Sequence, residues 1–157
     1  MIRIGSGWDI HPMIENRRLL LGGVEIPHHL GEAGHSDADV LLHALIDALL
    51  GSLALGDIGT YFPSEDDKWL DISSKYLLKE TLKLIAGYKI GNIDCTVILQ
   101  EPKLKAHISK IRASIASLCN ISVEKVSVKA KTADNLLGQV GEGRAVIAQA
   151  SVLLFAD

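Results

Sequence analysis

The chain has 157 residues and a mass of 16.9 kDa, the length of one domain with enough material for its own core. Apolar residues make up 48% of it, which excludes a disordered chain. A net charge of −3 excludes a general attraction to polyphosphate, so no nucleic-acid partner is expected.

In chain order, Met1–Ser6 alternates apolar and polar residues and predicts a strand. Arg18–Ile26, broken by Gly22-Gly23, predicts a bent strand or hairpin. Ser36–Leu50 predicts the clearest helix, with Ser36 as N-cap, Asp39 three residues on and Gly51 past the last apolar turn. Gly56–Asp71 is rich in turn formers and acids and reads as a long exposed loop. Ser73–Ala86 predicts a second helix, Asn92–Gln100 a strand, Ile108–Leu118 a third helix and Lys125–Lys131 a strand. Ala145–Phe155 is a nearly continuous apolar run and reads as a buried strand. Strands mixed with helices give an α+β, mixed α/β layer fold, with a sheet packed on helices, over residues 1–157 as a single domain. The longest apolar stretch, Val40–Gly56, carries His43 and Asp47, so no membrane span and no membrane partner are expected. The N-terminus lacks a signal-peptide core, which points to a cytoplasmic protein. Cys95 and Cys119 have the spacing of neither a disulfide framework nor a zinc ribbon and read as buried thiols.

Apolar residues nearly encircle the first helix. The exceptions are Asp39, His43 and Asp47 at steps of four, with His35 continuing the series backwards. Two readings stay open, a solvated stripe or a site, because His and Asp within apolar surroundings are costly unless paired or metal-bound. Asp9 and His11 stand two apart and point the same way on extended chain. With His43 they offer one carboxylate and two imidazoles, the composition of a catalytic zinc site with one open position. Gly5 and Gly7 make no dinucleotide fingerprint, since Ile10 stands where its last glycine belongs. Lys129-Ala130-Lys131-Thr132-Ala133-Asp134 closes a strand with cations, a hydroxyl and a carboxylate, a set that suits a phosphate with a divalent cation. His28, His29 and His107 read as loop histidines outside any site.

Five motifs then fall in order: Gly5-x-Gly7-x-Asp9-x-His11; His35-Ser36-Asp37-Ala38-Asp39-Val40 with His43; Ala54-Leu55-Gly56-Asp57-Ile58-Gly59 with Phe62-Pro63; Gln100-x-Pro102-Lys103; and Lys129-Ala130-Lys131-Thr132. Over nearly the whole chain this resembles the 2-C-methyl-D-erythritol 2,4-cyclodiphosphate synthase family of the non-mevalonate isoprenoid pathway. The resemblance implies a phosphorus–oxygen lyase whose substrate is 4-diphosphocytidyl-2-C-methyl-D-erythritol 2-phosphate. The substrate's 2-phosphate attacks its β-phosphorus, and CMP leaves. It implies Zn²⁺ on Asp9, His11 and His43, a second divalent metal (Mg²⁺ or Mn²⁺) on Asp134, and transition-state support from His35 and Thr132. It further implies substrate contacts at Asp9, His11, His35, Ser36, Asp57, Ile58, Gly59, Phe62, Asp66, Leu99, Pro102, Lys103, Leu104, Lys105, Lys131, Thr132 and Asp134. The implied assembly is a homotrimer with sheets facing the three-fold axis and active sites between subunits.

The chain departs from the family pattern at three places. Asp134 replaces a longer Glu. Gln139-Val140-Gly141-Glu142-Gly143-Arg144 lacks the usual Arg before Glu, and a Phe usually found shortly before it is absent. Ser64 stands where an Asp is frequent. Two other function classes compete: a zinc phosphoester hydrolase using the same three ligands, and a nucleotide-binding module without turnover.

Overall fold

Backbone pairing decides which of these segments become one element. The computed structural model describes residues 1–34, 36–69 and 71–156. Strand β1 runs over Ile2–Glu15, far beyond the expected Met1–Ser6. The glycines, Asp9 and Pro12 resemble a turn locally, yet β7 (Ala145–Ala156) pairs antiparallel with residues 2–12 along the whole length. The short β4 (Leu30–Glu32) then takes Met13–Glu15. With β5 (Tyr88–Ile98) and β6 (Val126–Lys131) these form a five-stranded sheet in the order β4-β1-β7-β5-β6, in which only β5 and β6 are parallel. The hairpin expected at 18–26 is a separate two-stranded piece, β2 (Leu19–Leu21) and β3 (Val24–Ile26).

Helix α1 spans Val40–Ser52, and its apolar surround has a direct cause: it lies across β1 and β7 on one side and against α3 (Ser74–Leu84) on another. Leu41, Leu42, Leu45, Ile46, Leu49 and Leu50 are fully buried. The helix begins later than expected. Asp39 and not Ser36 is the N-cap, because the Asp39 carboxylate accepts the Leu42 N–H (3.0 Å) and also ties down the N–H groups of Gly22 (3.0 Å) and Gly23 (2.6 Å). The segment 56–71 is not loop throughout. One turn of helix, α2 (Ile58–Tyr61), and a 3-10 turn over Asp67–Trp69 interrupt it. Helix α4 covers Ile108–Leu118 and packs on β6.

All helices lie on one face of the sheet, and glycine lets α1 come close. A Cβ on Gly5 would sit 1.8 Å from the Ala48 carbonyl oxygen, and one on Gly7 would sit 2.0 Å from that of Ala44. The motif that fails as a dinucleotide fingerprint is thus a packing device. The opposite face carries an open apolar strip along β1, beside the polar side chains of Gln149, Thr96, Asp94 and Lys129. Ile2, Ile4, Trp8 and Ile10 alternate along it at 62, 73, 56 and 42% exposure, with Phe155 opposite Ile2. The β7 run is therefore buried mainly on its helix side, with Ala145 on the other face packed against Ala133 and Val140. Cys95 and Cys119 are free and buried, and burial pushes both thiols up to about 12. No helix among the described residues is long and apolar enough to cross a membrane.

Candidate metal centre and substrate clefts

The close approach of α1 to β1 sets His43 beside Asp9 and His11. Asp9 Oδ2 lies 3.0 Å from His11 Nε2 and 3.2 Å from His43 Nδ1. The three ligand atoms fall within 4.8 Å of one another, and no other such group of three occurs among the described residues. The two imidazoles meet edge to face at 5.0 Å. Burial is partial, so the cluster is neither free in solvent nor sealed. This donor set fits Zn²⁺: two nitrogens and one oxygen converge, with cleft on the remaining side. Asp134 does not make a comparable site. It is exposed, its Oδ1 accepts the Thr132 hydroxyl at 2.8 Å, and it offers a single carboxylate. A hard cation held there needs further oxygens, as from a phosphate.

Each histidine has a backing that aims it. His11 Nδ1 donates to the Ala38 carbonyl at 2.8 Å, which leaves Nε2 toward Asp9 and the metal position. Behind it, fully buried Glu32 places Oε1 3.8 Å from His11 Nδ1 and 3.0 Å from the Val40 N–H, while Oε2 has no hydrogen-bond partner among the described residues. Burial pushes Glu32 up to about 8. Burial works against the charge on His11, but the Asp9 and Glu32 carboxylates outweigh it and raise its pKa to about 10. Asp9 is buried too, yet bonds and charge from His11 and His43 hold it well below the usual carboxylate range. In the metal-free protein His11 is therefore protonated at neutral pH, and a metal ion must displace that proton. Zinc affinity is expected to rise about tenfold per pH unit between pH 6 and 8, with about one proton released on binding. Calorimetry in two buffers of different ionisation enthalpy measures both, and a pH-independent affinity contradicts this linkage.

The polar line on α1 divides among three roles. Asp39 is wholly buried as the cap, and burial pushes its carboxyl up to about 6 against its three N–H bonds. Asp47 does not reach the metal cluster. It accepts the Ile58 N–H at 2.7 Å and so anchors α2, whose other end of cap, Asp57, accepts the Thr60 N–H (2.9 Å) and hydroxyl (2.8 Å). These bonds to Thr60 lower the Asp57 pKa. Asp47 thereby ties the 57–62 segment to the helix that carries His43. His35 lies outside the described residues.

Two clefts hold most of the remaining expected site residues. The first, about 330 Å³, contains Asp9, His11, His43, Ser36, Ile58, Gly59 and Phe62. Trp69 stacks edge-on against Phe62 at 5.0 Å in its wall, and Ser64, Gly34 and Leu77 complete it. The second, about 340 Å³, contains Leu99, Pro102, Lys103, Leu104, Lys105, Lys131 and Thr132, with Ile108 and Ala130. The clefts share no residue. Register puts them at the same end of the sheet, since Ile10, Ile147, Ile98 and Lys131 form one row, and three strand spacings, about 14 Å, separate β1 from β6. Asp57, Asp66 and Asp134 line neither; Asp66 is exposed and accepts the Lys68 N–H at 2.9 Å. In the altered C-terminal turn, Arg144 pairs with Glu142. Sequence reasoning passed over Glu32, Trp69 and Ser74. Glu32 had a signal, an acid inside the short apolar stretch 30–33, whereas Ser74 is visible only through contacts 31 to 38 residues away.

The YgbB family model matches residues 2–155. A 2-C-methyl-D-erythritol 2,4-cyclodiphosphate synthase of Shouchella clausii is 51% identical over 156 residues, 98% of each chain. A bifunctional enzyme IspD/IspF of Albidiferax ferrireducens is 55% identical over 154 residues, which are 97% of this chain but 37% of that protein. A solved 2C-methyl-D-erythritol-2,4-cyclodiphosphate synthase in a CDP-bound form superposes with a TM-score of 0.89 at 36% identity, covering 98% of this chain and 100% of the other.

Proposed function

The chain belongs to the YgbB family, and from that premise we propose that it is a 2-C-methyl-D-erythritol 2,4-cyclodiphosphate synthase of non-mevalonate isoprenoid biosynthesis. Its substrate is 4-diphosphocytidyl-2-C-methyl-D-erythritol 2-phosphate. An oxygen of the 2-phosphate forms a bond to the β-phosphorus while the bond from that phosphorus to the bridging oxygen breaks. CMP departs with the bridging oxygen, and the cyclic diphosphate remains. The observation that carries this reading is the convergence of Asp9, His11 and His43 in a cleft beside the Ile58–Gly59–Phe62 wall, in a chain matched over its length by such synthases.

The nucleophile is already an anion, so the protein's task is to bring two anions together rather than to supply a strong base. Zn²⁺ held by Asp9, His11 and His43 supplies Lewis-acid polarisation of a phosphate oxygen when bound. Lys131 neutralises phosphate charge, and the Thr132 hydroxyl and His35 support the charge that develops at the β-phosphorus. Asp134 would hold Mg²⁺ or Mn²⁺ together with phosphate oxygens, and that ion would neutralise diphosphate charge. The Leu99–Lys105 segment, Pro102 to Leu104 included, receives the cytosine. Asp57 and Gly59 hold the ribose, with Ser36, Ile58, Phe62 and Asp66 lining the erythritol phosphate's path. The enzyme is a single-domain, cytoplasmic protein, in keeping with its two free thiols.

The open apolar strip on the sheet supports a homotrimer in which that face packs around the three-fold axis. The metal cleft of one subunit then works with the Lys131–Thr132 cleft of its neighbour. Light scattering is expected to give three times the 16.9 kDa chain mass. Thr132→Ala and His43→Ala, each nearly inactive alone, are expected to recover turnover when co-expressed, because one interface then joins an intact His43 to an intact Thr132. An active monomer, or mixed trimers no better than either parent, contradicts shared sites.

A further inference from the structure

Behind His43, on the side away from Asp9, lies a group of side chains of which two, Asp37 and Ser74, have no task in the proposed reaction. Ser74, the first residue of α3, is fully buried and sets its Oγ 3.0 Å from His43 Nε2. Asp37, in the turn before α1, directs Oδ1 at both the Ser74 N–H (3.1 Å) and the Ser74 hydroxyl. Ser36 Oγ stands 3.1 Å from His43 Nε2 and 3.3 Å from Ser74 Oγ, and accepts the Ala38 N–H at 3.0 Å.

With a metal on Nδ1 of His43 the ring's one hydrogen sits on Nε2, and the other protons in this group follow. A carboxylate only accepts, so the one hydroxyl proton of Ser74 goes to Asp37. Ser74 Oγ keeps its lone pairs and needs a donor. His43 Nε2–H, 3.0 Å away, is that donor, and Ser36 gives its own proton to the second lone pair. Each proton is used once. Nδ1 faces Asp9 Oδ2 at 3.2 Å in the metal cluster, so once a metal ion replaces the hydrogen that Nδ1 gives to that carboxylate, an imidazole whose hydrogen is held on Nε2 turns its Nδ1 lone pair to the metal.

We propose that Asp37 and Ser74 form a brace that selects the metal-binding nitrogen of His43, through Nε2–H to Ser74 Oγ and the Ser74 hydroxyl to Asp37. Both are positioning residues; neither lines the cleft with the metal ligands. The brace also couples the N-terminus of α3 to the metal centre. This rests on the reading of Asp9, His11 and His43 as zinc ligands.

The test is zinc affinity by chelator competition, with the side-chain nitrogen–proton spectrum of the ¹⁵N-labelled, zinc-loaded protein. The wild type is expected to show a His43 Nε2–H signal protected from solvent exchange. Ser74→Ala is expected to lose that protection and to bind zinc about 10- to 100-fold more weakly. Ser36→Ala keeps the signal, and Ser74→Thr, which retains the hydroxyl, restores affinity toward wild type. Ser74→Ala with wild-type affinity and a protected proton overturns the brace alone. An unprotected Nε2–H in the loaded wild type overturns it whether or not any variant folds. A wild type that binds no zinc overturns instead the metal reading on which the brace rests.

Discussion

His43→Ala is expected to bind no zinc at micromolar concentrations and to lose turnover by about 10³-fold or more while keeping its fold. The factor corresponds to about 4 kcal/mol of charge stabilisation withdrawn from the transition state. The fold persists because α1 is held by its apolar surround, which the substitution leaves intact, and alanine is the better helix former. What goes is a set of polar contacts with Asp9, Ser36 and Ser74, worth about 1–2 kcal/mol in stability. Metal content by mass spectrometry, a thermal melt and a CMP-release assay check the three parts. Full zinc occupancy in this variant removes His43 from the centre.

Gly7→Ala is expected to damage stability and the metal centre together, although it touches no ligand. The new Cβ would lie 2.0 Å from the Ala44 carbonyl oxygen and 2.7 Å from the Ala48 nitrogen, both backbone atoms that no rotamer change can move. Helix α1 must retreat from β1 by more than about 1 Å to reach an ordinary contact. Overpacking of this kind costs about 1–3 kcal/mol. The same retreat draws His43 away from Asp9, and a misplacement near 1 Å costs about 10²-fold in rate. Gly51→Ala is the control. It lies on the same helix, exposed, with only the Ser6 carbonyl oxygen within 4 Å, at 3.9 Å, and is expected to be neutral or stabilising by up to about 1 kcal/mol. A Gly7→Ala protein as stable and as zinc-tight as wild type refutes the packing role of the glycine pair.

The sequence pattern carried the strongly periodic parts of this protein and lost the parts made by distant pairing. The apolar surround of α1 and the alternation of Ile93, Cys95 and Val97 are local patterns, and both elements formed there. The reach of β1 beyond Ser6 depends on β7, more than a hundred residues away in sequence, as far as Pro12 and on β4 from Met13 to Glu15, pairings that no local pattern records. The cap of α1 went to Asp39 because two N–H groups of the 22–23 turn also needed an acceptor, and periodicity cannot see that demand. Ser36, freed from capping, serves His43 instead. In the site, Asp9, His11 and His43 were legible from ligand chemistry and spacing. Glu32 and Ser74, which back those ligands, were not, because their meaning lies in contacts between β4, α1 and α3.

The product distinguishes cyclisation from hydrolysis and from binding alone. Purified protein with Zn²⁺ and Mg²⁺ is incubated with 4-diphosphocytidyl-2-C-methyl-D-erythritol 2-phosphate and followed by ³¹P nuclear magnetic resonance. The prediction is CMP and 2-C-methyl-D-erythritol 2,4-cyclodiphosphate in equal amounts, with no inorganic phosphate. Inorganic phosphate or a linear diphosphate as the main product, or binding with no turnover, would contradict it.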